Sequence, residues 1–189
     1  MDRRWLDVSD NNFDGQLQEN IGNMIPNLEY LNLSQNHFDG KFPAASIGDL
    51  SNLKKLDFSF NNFSGELPME LFANCTSLDN LRLSNNSFYD EIFSKHFNLS
   101  LFYLGLSNNH STGTLPMVPL RIWGVLDISN NHMSGTILGW IVNYREGPQI
   151  VDLSNNFFKG WIPCVHGSHD IINFSYNLLS GLLPPCLNL

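Results

Sequence analysis

Apolar and polar residues alternate in short runs along this chain, and the runs recur. Leu31-Asn32-Leu33, Leu56-Asp57-Phe58, Leu81-Arg82-Leu83, Leu104-Gly105-Leu106, Leu126-Asp127-Ile128 and Val151-Asp152-Leu153 each hold two apolar side chains two residues apart. Leu6-Asp7-Val8 precedes them and Ile172-Asn173-Phe174 follows. A period of two predicts a short strand with one face buried. Each run leads into Ser-x-Asn, with asparagines at Asn11, Asn36, Asn61, Asn86, Asn109, Asn131, Asn156 and Asn177, spaced by 25, 25, 25, 23, 22, 25 and 21 residues. Two residues after each asparagine stands Phe13, Phe38, Phe63, Phe88, Ser111, Met133, Phe158 or Leu179. Four after it comes glycine in seven of the eight units, Asp90 being the exception. Proline closes five units, at Pro43, Pro68, Pro116, Pro163 and Pro184.

Each column has a physical reading. Strands at equivalent places run the same way and can pair as a parallel sheet. The glycine suits a turn of positive φ, and the proline ends ladder pairing just beyond it. The phenylalanine column fills the bend. A buried amide carries two donors and two acceptor lone pairs that must be satisfied, so the asparagine is expected to bond backbone groups of its own turn and the next. Each unit closes its apolar face only against its neighbours, which predicts a solenoid. Leu71, Phe72, Cys75 and Leu78 predict a short helical turn, and Ile47, Leu50 and Leu53, spaced by threes, a 3₁₀ turn.

The string Leu53-x-x-Leu56-x-Phe58-Ser59-x-Asn61-x-Phe63-x-Gly65-x-Leu67-Pro68 resembles a plant-type leucine-rich repeat. Its Gly-x-(Ile/Leu)-Pro ending marks the plant extracellular subclass. Leu71-Phe-Ala-Asn-Cys-Thr-Ser-Leu78 and Leu126-Asp-Ile-Ser-Asn-Asn131 resemble ectodomains of plant cell-surface receptor-like proteins. The resemblance implies an α/β leucine-rich-repeat solenoid, a horseshoe of about eight repeats in one array over residues 1–189. It implies a parallel β-sheet on the concave face, and short helical or 3₁₀ turns with a minor second sheet outside. It also implies a recognition role outside the cell. Receptor-like proteins of this kind sit in the plasma membrane and signal in defence or development through partner kinases, so the expected partners are an extracellular peptide or protein ligand and a receptor-kinase co-receptor. The alternative is a soluble apoplastic inhibitor of a cell-wall-degrading enzyme, similar to polygalacturonase-inhibiting proteins; a third reading is a non-functional fragment. The uneven repeat lengths favour the receptor-like reading.

The resemblance further implies cysteine-paired caps and a membrane helix, neither visible here. The chain starts within a strand at Trp5-Leu6 and stops at Leu189 in an outer segment, which reads as the middle of a longer receptor or the product of a shortened gene. Each open end would expose about half a dozen apolar side chains, a loss comparable with the about 5–15 kcal/mol that holds a domain together. Alone, such a chain is expected to be aggregation-prone or partly molten.

Composition narrows the function. Apolar residues make up 42% and charged residues 15% of 189, a balance that orders rather than disorders a chain. No apolar run is long enough to span a bilayer, and Met1 to Val8 contains no h-region of a signal peptide. A net charge of −8 without a Lys/Arg cluster argues against nucleic acid. No nucleophile stands beside a positioned base, and no phosphate loop or kinase motif occurs, so no enzyme activity and no cofactor is expected. His110 and His132 follow the ladder asparagine in adjacent units and can stack, and His166-x-x-His169 is a loose pair; neither has the further ligands zinc needs.

The binding face is expected among strand residues that point away from the core. Candidate ligand contacts are Tyr30, Asp57, Phe60, Arg82, Tyr103, Asp127, Asp152 and Tyr176. Asp127 and Asp152, on adjacent strands, would form an acidic patch for a basic or amphipathic peptide; the competing reading is that aspartate at this position merely keeps the face soluble. Sequons occur at Asn32, Asn62, Asn74, Asn85, Asn98, Asn109 and Asn173, with Asn62, Asn74 and Asn98 the expected glycosylation sites. Cys75 sits among apolar residues as a buried thiol. Cys164 and Cys186 follow the proline of consecutive units at nearly equal height, so they either form a disulfide or act as two small core fillers.

Overall fold

The computed structural model describes residues 3–67, 75–93, 100–117, 120–143, 147–166 and 169–186. Each coil contributes a strand to one continuous parallel sheet: β1 (Trp5–Asp7), β3 (Tyr30–Asn32), β5 (Lys55–Asp57), β7 (Asn80–Arg82), β9 (Ser100–Gly105), β11 (Arg121–Asp127), β13 (Ile150–Asp152) and β15 (Ile171–Asn173). Register follows the sequence columns: Leu6 faces Leu31, which faces Leu56, then Leu81, Leu104, Leu126, Val151 and Ile172. These side chains meet Leu28, Leu53, Phe58, Phe63, Phe88 and Phe158 in a single core. The architecture is the leucine-rich-repeat solenoid implied by the repeat.

The second sheet is larger than expected, because every coil adds a strand after its asparagine. Strands β2 (Asp14–Gln16), β4 (His37–Lys41), β6 (Asn62–Glu66), β8 (Ser87–Glu91) and β10 (His110–Thr112) form one parallel set. Strands β12 (Ser134–Thr136), β14 (Phe157–Gly160) and β16 (Leu178–Leu179) form another, joined to the first by one bridge between Thr114 and Ser134. The glycine column turns here at positive φ, as predicted, and Asp90 takes the same conformation at +94°. Among the described residues the outer side carries short helices: α1 (Ile21–Met24), α2 (Ala44–Gly48) and α3 (Trp140–Asn143). Leu50 N–H donates to Ile47 O and Leu53 N–H to Leu50 O, both at 3.0 Å, the three-residue turns that the spacing predicts. The helical turn expected from Leu71 begins outside the described residues.

The asparagines form the expected ladder, but in the opposite sense to that expected. Asn61 Nδ2 donates to Phe58 O and Ser59 O of its own turn, then back to Leu33 O of the preceding coil at 3.0 Å. Its Oδ1 accepts from Phe38 N–H, again on the preceding coil. Asn36, Asn86, Asn109, Asn131, Asn156 and Asn177 repeat the pattern. The reason is directional. Backbone N–H groups beyond each strand donate forward, Leu33 to Asp57 O and Asn36 to Phe60 O, so the amide donors turn to the carbonyls of the coil behind. Beneath them the rings of Phe13, Phe38, Phe63 and Phe88 stack at 6.1 to 6.4 Å. Phe13, on the first coil, is 49% exposed, whereas Phe63 and Phe88 are fully buried between neighbours.

The residue before each ladder asparagine is left-handed. Asp10, Gln35, Phe60, Asn85, Asn108, Asn130, Asn155 and Tyr176 have φ between +53° and +57°. Asparagine and aspartate tolerate this region; for Phe60 and Tyr176 it is strained.

Candidate ligand-binding face

The outward column of the large sheet runs Asp7, Asn32, Asp57, Arg82, Gly105, Asp127, Asp152, Asn173. Its acids have local work that the sequence reading missed. Asp57 Oδ1 accepts from both the backbone N–H and the hydroxyl of Ser59. Asp7 does the same for Ser9, Asp127 for Ser129 and Asp152 for Ser154. Asn173 caps Ser175 in the same way, and Asn32 Oδ1 accepts from the Ser34 backbone N–H. Bonds from Ser9 hold the Asp7 carboxyl below the usual carboxylate range. The available signal was Asp or Asn two residues before the serine, present in six of eight units. One oxygen of each acid is therefore committed to its own turn. The other oxygen of Asp7 and of Asp152 accepts from Asn32 Nδ2 at 3.2 Å and Asn173 Nδ2 at 3.0 Å across the sheet, while for Asp57 and Asp127 no second partner occurs among the described residues.

Two coils lack that cap, and there the face changes character. With Arg82 and Gly105 in the column, Ser107 Oγ–H donates to Ser84 Oγ at 3.0 Å instead. A Cβ on residue 105 would lie 2.7 Å from Tyr103 Cε1, so glycine is what lets the Tyr103 ring fold over the strand. The Arg82 guanidinium lies over that ring, 4.3 Å from its centroid, a cation–π contact. Burial raises the Tyr103 phenol above its ordinary range and the Asp127 charge adds to this, while Arg82 opposes it.

Phe102 lies against Gly124 one strand further on, where a Cβ would stand 2.5 Å from the ring. Trp123 meets Phe102 edge-on at 4.7 Å and is 51% exposed. β9 and β11, the longest strands of the large sheet, shift register between Ile122 and Val125, which accommodates these rings. Phe102 and Trp123 were not singled out from the sequence. Two signals were present: repeats shortened to 23 and 22 residues, and an aromatic residue following Arg4, Glu29, Lys54 and Asp79 in a charged column.

The remaining candidates lie apart from this centre. Tyr30 stacks on Trp5 with centroids 3.7 Å apart, and its hydroxyl donates to Asp7 Oδ2 at 3.5 Å. Burial, then the Asp7 charge, raises its phenol. Beside these strands Glu29 bridges Arg4 at 3.2 Å and Lys54 at 2.6 Å. Phe60 is 55% exposed at the rim, and Tyr176 is 84% exposed on the last coil. Asp57 lies between Asn32 and Arg82, and Asp127 directly opposite Asp152. At about 4.8 Å per strand, the span from Tyr30 to the Tyr176 coil is about 30 Å, so the eight candidates line a track rather than one pocket.

Other sequence candidates are placed as follows. Asn62 is exposed on β6; Asn74 and Asn98 lie outside the described residues. Asn109 is 5% exposed with its amide fully engaged in the ladder. Cys164 and Cys186 are joined as a disulfide with Cα atoms 5.6 Å apart. His166 lies near both sulfurs, but bonded to each other they offer a metal no thiolate. Cys75 is a buried free thiol that burial, and secondarily Asp49, pushes up to about 11.

Comparison with known proteins agrees with this geometry. Family models described as leucine rich repeat match residues 26–88 and 4–24. The chain is 33% identical to the ectodomain of the Arabidopsis receptor kinase HAESA, solved with an N-terminally extended IDA peptide hormone ligand, over 95% of this chain and 30% of that one, with a TM-score of 0.83. The plant peptide hormone receptor RGFR1, solved with RGF2, is 25% identical over 93% of this chain and 37% of its own, with a TM-score of 0.68. A plant ice-binding protein is 27% identical over 97% of this chain and 62% of its own, with a TM-score of 0.75. No curated protein matches by sequence. The chain thus spans about a third of the length of the receptor ectodomains it is similar to.

Proposed function

We propose that this chain, a leucine-rich-repeat solenoid similar to plant receptor ectodomains, recognises an extended peptide across the concave sheet. It does so as part of a cell-surface receptor-like protein, on the extracellular side of the plasma membrane, in defence or developmental signalling. The observation that carries this reading is the cluster of Arg82, Tyr103, Phe102 and Trp123 at the middle of the sheet, seated on Gly105 and Gly124. Aromatic and arginine side chains are what binding hot spots are made of, and rings already packed against the backbone lose little freedom when a partner arrives. The flanking carboxylates of Asp57, Asp127 and Asp152 favour basic residues at either side of such an anchor. Two of the relatives named above are peptide hormone receptors, HAESA solved with IDA and RGFR1 with RGF2, which agrees with a peptide ligand. The role is binding rather than catalysis, with a co-receptor kinase as the second partner of the assembled receptor.

The test is selection of a displayed random peptide library on the immobilised chain. Enriched peptides should lose at least tenfold in affinity to Trp123→Ala and to Arg82→Ala, both variants keeping the far-ultraviolet circular dichroism of the parent. If enriched peptides bind both variants as they bind the parent, the central cluster is not the anchor.

A further inference from the structure

A second site lies off the concave face, at the rim where the two sheets meet. The residues immediately after the ladder asparagines form a column there, and in three adjacent coils that column is a stack of rings. His110 and His132 stand 5.8 Å apart with planes inclined at 26°, and His132 and Phe157 stand 5.8 Å apart at 22°. All three side chains are exposed. Facing them are Asn130 and Asn155 of the left-handed column, joined by a hydrogen bond from Asn155 Nδ2 to Asn130 Oδ1 at 2.5 Å. Between rings and amides lies a cleft of about 290 Å³, floored by the ladder amides. It sits where the second sheet breaks, beside the lone bridge between Thr114 and Ser134.

Three features restrict what such a cleft can hold. First, among the described residues no carboxylate, lysine or arginine lines it, so no fixed charge there matches a charged ligand. Second, part of its hydrogen-bonding capacity is unspent, although Asn130 Nδ2 donates to Ser129 Oγ at 3.3 Å and the ladder amides bond backbone. Among the described residues no hydrogen bond engages the ring nitrogens of His110 or His132, and Asn155 Oδ1 accepts none. Third, the rings present a flat, weakly polar surface opposite a row of amides. An imidazole offers both a donor and an acceptor, and an amide two of each. A ligand that fits must be uncharged, bear hydroxyls on one side and show C–H groups on the other. A pyranose ring has that constitution: its C–H face lies on aromatic rings, whose faces are electron-rich, and its equatorial hydroxyls pair with amides.

We propose that this rim cleft binds a short neutral oligosaccharide. Phe157 and His132 provide the stacking surface, and Asn130, Asn155 and the imidazole nitrogens bond the hydroxyls. The site is independent of the central peptide track, because none of its lining side chains belongs to the Arg82–Tyr103–Phe102–Trp123 cluster.

The experiment is saturation-transfer NMR and calorimetry on the full chain with cellopentaose, xylopentaose and laminaripentaose as probes, and trigalacturonate as the charged comparison. At least one neutral probe should bind with one-to-one stoichiometry, and trigalacturonate more weakly. Phe157→Ala and His132→Ala should each weaken binding about tenfold or more, while Trp123→Ala leaves it unchanged. Asn155→Gly removes the amide at a position whose left-handed backbone glycine accepts readily, so it keeps the fold and should also weaken binding. Absence of binding by every neutral probe at millimolar concentration overturns the proposal. So does binding that survives Phe157→Ala or Asn155→Gly intact.

Discussion

The Tyr103 ring lies between two neighbours of opposite kind: the Arg82 guanidinium 4.3 Å from its centroid, and the bare backbone of Gly105 beneath. The second contact is a condition of the first. Gly105 has an ordinary φ, and the obstacle to a side chain there is the far end of the Tyr103 ring, with Ser84 Oγ at 3.2 Å. Gly105→Ala should therefore displace the ring at little cost, within about 1 kcal/mol of the parent in urea denaturation. It should also bring the Tyr103 phenol back toward its ordinary range, seen by absorbance titration. Gly124→Ala differs, because its Cβ would stand 2.6 Å from the backbone oxygen of Phe102. Backbone yields less easily than a ring, so that variant should lose about 1–3 kcal/mol. Equal losses in the two variants would contradict this division.

The aspartate column separates charge from structure. Asn32 and Asn173 already cap their serines from the same position, so Asp57→Asn with Asp127→Asn should keep the turn bonds and remove only charge. Stability should stay within about 0.5 kcal/mol, while Asp127→Ala loses about 1 kcal/mol with its two bonds to Ser129. Asp7 adds a pH dependence of known sign. Its folded-state pKa is lowered by Ser9, so its contribution is full above the unfolded value near about 4 and is lost as pH falls through the lowered one. Ser9→Ala should flatten the acid limb of the stability curve. An unchanged limb would mean that the Ser9 bonds are not what lowers Asp7.

The strands, the amide ladder and the glycine turns were legible in the sequence, because each is imposed by one residue type at one place in every coil. The left-handed residue before each asparagine was not. Its conformation is enforced by the turn around it, so Gln35, Phe60 and Tyr176 adopt it as well as Asn85 does, and composition blurs. The sense of the ladder was also hidden, since an amide can bond either neighbour until the backbone donors are known to point forward. At the binding face, Tyr103 and Arg82 stood in recognised columns. Phe102 and Trp123 did not, because shortened coils and a register shift place them there.

Cys75 offers a clean probe of opening. Its side chain is fully buried and its thiol is pushed up to about 11, chiefly by burial. At pH 8 only about one thiol in a thousand would be ionised, and the thiolate is the reactive species. With Cys164 and Cys186 paired, a thiol reagent added to native protein should therefore react only as fast as the chain unfolds. The rate should rise with urea in step with loss of circular dichroism. Labelling complete within seconds in native buffer would show that the coil around Cys75 opens separately from the rest.

Glycosylation should divide the sequons by what their amides already do. Asn109 Nδ2 donates to Leu83 O, Leu106 O and Ser107 O, and its Oδ1 accepts from Phe88 N–H. A glycan on that nitrogen would remove a donor and force a sugar into a site with no space, leaving buried carbonyls unpaired at about 1–3 kcal/mol each. Asn62 instead stands exposed on β6, with its neighbour Phe63 holding the strand in place. Secreted from plant cells, the chain should carry a glycan at Asn62 and none at Asn109, as read by peptide mass spectrometry after deglycosylation in heavy-oxygen water. Asn62→Gln should shift the mass by one glycan and leave the melting transition in place. Occupancy at Asn109 in folded, secreted protein would mean that the amide ladder is broken at that coil.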